Sequence, residues 1–110
     1  MGTVLAFTVA RAPGRDVVSF TGEVDIGSAP TLRDGLARPS AALLVADFTG
    51  VTFLGSTGLT CLLQAHDRLV AEGRALVVVT PPTSAVSRAI SISGVDQAVT
   101  VVATLGDVPG

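Results

Sequence analysis

Asp47-Phe48-Thr49-Gly50-Val51-Thr52-Phe53-Leu54-Gly55-Ser56-Thr57-Gly58-Leu59 joins two segments of opposite character. Upstream, Ala42 to Phe48 is nearly continuous apolar sequence, as expected of a strand covered on both faces. Downstream, Leu59, Leu62, Leu63, His66, Leu69 and Val70 recur at spacings of three and four, which predicts an amphipathic helix from about Thr57 to Glu72. Gly73 supplies its stop. Between strand and helix a loop is expected, with Phe53 and Leu54 anchored in the core. Ser56 takes the N-cap position, and Gly58 lets the helix begin close against another backbone.

Working outward, Ala75 to Thr80 reads as a second buried strand. After Pro81-Pro82, Val86, Ala89, Ile90 and Ser93 share a helical face that ends at Gly94, and Ala98 to Ala103 forms a last strand. Toward the N-terminus, Thr3 to Ala10 and Asp16 to Thr21 flank the turn pair Pro13-Gly14 and predict a β-hairpin. The segment from Gly22 to Gly27 breaks the second of these strands. Ser28-Ala29-Pro30 then starts a short helix with Ser28 as cap, Leu32 and Leu36 on one face and Pro39 as terminator. The predicted fold is α/β, a small mixed β-sheet with helices packed against it, in the order β-β-α-β-α-β-α-β. Residues 1–110 are expected to form one domain, with 106–110 a loose tail.

Composition narrows the function classes. The chain has 110 residues, 48% of them apolar and 15% charged, with a formal net charge of −2, which describes a folded domain and not a disordered one. It contains no lysine, and its arginines are scattered from Arg11 to Arg88, which argues against a nucleic-acid partner. A single cysteine, Cys61, rules out an internal disulfide and a thiolate metal cluster. No signal peptide and no run of roughly 20 apolar residues is visible, so a cytoplasmic protein without direct membrane insertion is expected.

Enzymatic motifs are missing as well. His66, the only histidine, lies ten residues after Ser56, about 15 Å along a helix, so the two form no dyad. Leu54 stands where a serine-hydrolase elbow needs its first glycine, and no phosphate-binding loop exists without lysine. No metal or cofactor is expected, and catalysis would require Glu23, Asp25 and Ser56 to converge in one deep pocket. Ser56 carries the more specific reading. Its plain structural role is to cap a helix, worth about 1 kcal/mol. A phosphoryl group there would also meet free backbone N–H groups and the positive helix end, so the fold could tolerate the added charge while a partner surface is repelled.

Four stretches resemble one known family, the STAS domain, and within it the bacterial anti-sigma factor antagonists. Val18-Ser19-Phe20-Thr21-Gly22-Glu23-Val24-Asp25 is similar to the family's strand followed by G-E-[LV]-D. Ser28-Ala29-Pro30-Thr31-Leu32-Arg33 is similar to its [ST]-A-P-x-L-R, and Asp47 to Leu59 to D-L-S-G-V-x-F-L-D-S-[ST]-G-L. Ile90-Ser91-Ile92-Ser93-Gly94-Val95-Asp96 is similar to L-x-x-[ST]-G-[LV]-D. Together they cover nearly the whole chain in the right order.

The resemblance implies a small mixed sheet with packed helices and no enzymatic activity. It implies that Ser56 is phosphorylated by an anti-sigma factor that is a serine kinase of the histidine-kinase-like ATPase type. Unmodified antagonist binds that partner and frees a sigma factor, regulating transcription; a serine phosphatase restores the phosphorylated form. Glu23 and Asp25 would border the docking face, with Gly55, Ser56, Thr57, Gly58 and Leu59 at its centre. One departure is Gly55, where the family usually has aspartate. That departure motivates an alternative, a non-phosphorylated accessory or scaffold subunit of a stress-signalling or lipid-transport complex. The family's final helix is also shortened or absent after Thr104.

Overall fold

The computed structural model describes residues 4–109. Strands β1 (Ala6–Ala12) and β2 (Arg15–Val24) form the hairpin, joined by Pro13 and by Gly14 at φ +75°, a left-handed turn position that glycine accepts without strain. Helix α1 (Ala29–Ala37), strand β3 (Leu43–Leu54), helix α2 (Ser56–Ala71), strand β4 (Ala75–Val79), helix α3 (Ala85–Ser93) and strand β5 (Thr100–Val102) follow. The order is the expected one. The sheet runs β1-β2-β3-β4-β5, antiparallel at the first pair and parallel at the other three.

Each parallel connection steps one strand over in the same direction, and right-handed crossovers then bring all three helices to one face. The core confirms it. Leu32 and Leu36 of α1, Leu62 and Leu69 of α2, and Val86 and Ile90 of α3 pack in one cluster with Val18, Phe20, Leu44, Phe48 and Val78 of the sheet. Phe20 sits at the middle of that cluster, edge-on to Phe48 with ring centroids 5.3 Å apart.

The opposite face would leave Val45, Val77 and Val79 uncovered, yet all three are buried. Val108 packs against them. Within the stretch expected to be a loose tail, residues 106–110, Val108 is buried against this face while Gly106, Asp107 and Pro109 are exposed. A short 3₁₀ turn at Leu105–Asp107 is tied by Thr104 Oγ1 donating to Asp107 Oδ2 at 2.8 Å, and Arg15 Nη2 donates to the Pro109 carbonyl at 3.1 Å. The reason is the one-sided helix layer, which leaves a second apolar surface needing cover. Gly110 lies outside the described residues, as does Thr3 of the expected first strand.

Two strands differ from the sequence reading. Gly22 does not end β2, which continues to Val24, and β3 does not end near Phe48 but continues to Leu54. The two remain paired throughout, with two irregularities. Between Ser19 and Thr21 the partner on β3 advances from Asp47 to Gly50, and between Gly22 and Glu23 it advances from Val51 to Phe53. The extra residues on β3 bulge out, so beyond Phe48 the buried side chains are Val51 and Leu54, with Thr49, Gly50, Thr52 and Phe53 exposed. No helix among the described residues is long and apolar enough to cross a membrane.

Candidate functional site

Parallel pairing of β2 and β3 places the ends of both strands together. Glu23 lies opposite Phe53 and Val24 opposite Leu54, and the Gly55 N–H then donates to the Val24 carbonyl at 2.9 Å. The residue before Ser56 is therefore bonded to the residue between Glu23 and Asp25. Two sequence motifs separated by some thirty residues meet at one edge of the molecule.

Ser56 is exposed and is the first residue of α2. The sequence reading made it the N-cap; that position belongs to Gly55, in extended conformation, and no side chain caps the helix. The first turn closes with the Leu59 N–H donating to the Gly55 carbonyl at 3.1 Å. The N–H groups of Ser56, Thr57 and Gly58 precede that bond and have no partner within the helix. With no acidic residue in this first turn, the positive end of the helix is unneutralised next to the Ser56 hydroxyl.

The neighbouring residues divide by role. Gly58 is buried, and a Cβ there would fall 2.5 Å from Leu54 Cδ1 and 2.6 Å from Val24 Cγ1, so its lack of a side chain lets α2 start directly above the two strand ends. Leu59 is half-buried and packs on the main core, and Thr57 is half-buried. Of the five residues expected at the centre, Ser56 alone is exposed. Thr60, outside that set, donates its hydroxyl to the Ser56 carbonyl at 3.1 Å.

Ser28 holds the N-cap position of α1 as expected, and Asp25 braces the turn that leads into it. Its carboxylate accepts the Ser28 N–H at 2.9 Å, while its own N–H donates to Ser28 Oγ at 2.9 Å. Ser28 makes no side-chain cap bond to the helix; its hydroxyl donates to the Glu23 carbonyl at 2.9 Å. The bond from the Ser28 N–H, followed by that from its hydroxyl, holds the Asp25 carboxyl below its ordinary value of 3.8. A lowered folded value means that the charged carboxylate stabilises fully above about pH 3.8 and loses its contribution as pH falls through the folded value. A side-chain carboxyl NMR titration should give a midpoint below 3.8 for Asp25, and Ser28→Ala should return it toward 3.8.

Two apolar side chains on this face were not anticipated. Phe53, expected in the core, is 49% exposed, and Ile26 is 82% exposed in the loop after Asp25. The Phe53 ring lies against Gly55: a Cβ at that position would meet Phe53 Cε2 at 3.2 Å and Cζ at 3.5 Å. A side chain at position 55 would therefore press on the Phe53 ring just before Ser56. Ile26 was legible as an isolated apolar residue between Asp25 and Gly27, outside any helix or strand period.

Glu23 and Asp25 line a cleft of about 330 Å³ with Val4, Leu5, Ser28 and Thr31, and Ser56 is not part of it. The convergence of all three that catalysis would require is not seen in that cleft. His66 is half-buried, with Nδ1 buried and without a hydrogen-bond partner among the described residues.

The STAS domain family model matches residues 7–108. The chain is 31% identical over 106 residues to the anti-sigma-F factor antagonist RsfB of Mycobacterium tuberculosis, covering 94% of this chain and 85% of that protein. The crystal structure of an anti-sigma factor antagonist from Mycobacterium paratuberculosis superposes with a TM-score of 0.83 at 31% identity, covering 94% of this chain and 89% of that one. The anti-sigma factor antagonist SpoIIAA in its unphosphorylated form shares the fold, with a TM-score of 0.72 at 19% identity over 93% of this chain and 91% of its own. On the family match and the 31% identity carried across almost its full length, the chain belongs to the STAS domain family.

Proposed function

We propose that this protein is an anti-sigma factor antagonist of the cytoplasm, controlled by phosphorylation of Ser56. Its partner is an anti-sigma factor with serine kinase activity, and a serine phosphatase reverses the modification. The single observation that carries this reading is the exposed Ser56 hydroxyl at the first position of α2, hydrogen-bonded through its neighbour Gly55 to the Glu23-Val24-Asp25 segment. The relatives named as anti-sigma factor antagonists support it.

The chemistry asks little of this chain. Ser56 Oγ attacks the γ-phosphorus of ATP held by the kinase, its proton passes to a base of the kinase, and ADP leaves. The product brings close to two negative charges to the unneutralised start of α2, where backbone N–H groups compensate them inside the protein. A partner surface fitted to a neutral hydroxyl gains no such compensation, and the complex dissociates.

Incubation with a cognate anti-sigma kinase and ATP should add one phosphate to the protein, read by intact mass. Ser56→Ala should abolish the addition. Full labelling of that variant would move the acceptor to Thr57 or remove the mechanism. Gly55 gives a specific reason to keep the accessory or scaffold reading, since it lacks the carboxylate usual in the family; in that case the wild-type protein takes up no phosphate.

A further inference from the structure

The groove between α1 and α2 shares no lining residue with the Ser56 site or the Glu23–Asp25 cleft. Its floor is apolar, formed by Leu36 and Cys61, each 2% exposed, and Ala65, 6% exposed. Its rim is polar and cationic, with Arg33 on α1 and Gln64 and Arg68 on α2. Arg68 is engaged, donating from Nη2 to the Leu36 carbonyl at 3.1 Å and standing 3.8 Å from Glu72 Oε1. Arg33 is exposed and makes no salt bridge among the described residues. The nearest acid in sequence, Asp34, is bound to Arg38 at 3.1 Å. An unpaired guanidinium beside an apolar floor complements an anion that carries a short hydrocarbon tail.

We infer that this groove binds a short-chain aliphatic carboxylate, with the tail on Leu36, Cys61 and Ala65 and the carboxylate at Arg33. The volume sets the length. The groove holds about 260 Å³. At roughly 30 Å³ per non-hydrogen atom, that is space for about eight or nine atoms, the size of a six-carbon carboxylate. So few atoms give a dissociation constant on the order of millimolar. Binding here requires no partner protein, so its failure would leave the antagonist reading untouched.

The test is amide-detected NMR of the full chain at constant ionic strength, titrated with sodium hexanoate, hexan-1-ol and sodium acetate. Hexanoate should produce saturable shifts confined to residues 33–37 and 61–68. Hexanol, with the tail but no charge, and acetate, with the charge but no tail, should each bind about fivefold or more weakly. Arg33→Gln should weaken hexanoate by a similar factor and leave hexanol unchanged. Ala37→Leu, at an exposed position on the groove wall, should block both. Both variants alter exposed side chains, and unchanged spectra elsewhere would verify their fold. Shifts that grow linearly without saturation, equal binding of hexanoate and hexanol, or indifference to both substitutions would overturn the inference.

Discussion

Ser56→Asp is expected to weaken binding to the anti-sigma partner by about a hundredfold while leaving the fold as stable as before. The two halves of that result come from the same geometry. Within the protein, a carboxylate at the first helical position faces the free N–H groups of Ser56, Thr57 and Gly58 and should change stability by no more than about +0.3 to +1 kcal/mol. Across an interface the same charge has to be stripped of water against a surface that fitted a hydroxyl. Ser56→Ala keeps the site neutral and should bind within about threefold of the wild-type protein. Calorimetric titration and urea unfolding on the three proteins give both numbers. Equal affinity of Ser56→Asp and wild type would abandon the switch and leave the constitutive scaffold.

Gly58→Val is expected to destabilise the protein by about 3 kcal/mol and to lower partner binding along with it. Even the first added carbon would sit 2.5 Å from Leu54 Cδ1 and 2.6 Å from Val24 Cγ1. Leu54 can rotate its terminal methyl away, but Val24 is β-branched and fully buried, so α2 itself has to lift. Gly58→Ala adds only that one carbon and gains up to about 1 kcal/mol of helix propensity, so its net cost should be near 1 kcal/mol. Valine adds two further methyl groups and a stiff χ1 with no such gain. The loss is a sizeable share of the 5–15 kcal/mol typical of a whole domain. Urea midpoints ordered wild type, Gly58→Ala, Gly58→Val would support this account, and a neutral valine variant would refute it.

The segments with a single dominant period were legible in the sequence. The helix expected from about Thr57 to Glu72 is found at Ser56–Ala71, because leucines at spacings of three and four leave little freedom. Gly73, at φ +74°, and Gly94, at φ +81°, follow the two helices they were expected to end. What failed was the stretch beyond Phe48. Bulging gives β3 buried residues at Phe48, Val51 and Leu54, a spacing of three inside a strand, which matches neither alternation nor a helix. Phe53 was assigned to the core for the same reason: an aromatic residue next to a leucine looks buried until the extra residue turns it outward.

The way the candidate site is built was not legible in the sequence. Gly22 to Asp25 and Gly55 to Leu59 could be grouped only through resemblance to a family, because no local period links them. Their physical link is a parallel ladder carried past the point where both strands seemed to stop. Asp25 shows a related blind spot. Its reciprocal bonds with Ser28, the N-cap of α1, close the turn before that helix, and no sequence period links the two residues.

The Arg15–Pro109 contact fixes where a reporter group belongs. Arg15 opens β2 and Val24 closes it, so at about 3.3 Å per residue Pro109 is held some 30 Å from the Ser56 edge. A fluorophore or an immobilisation handle attached behind Pro109 would therefore start from the far pole. Fluorescence anisotropy from that position would register a large protein arriving at the other end without obstructing its approach.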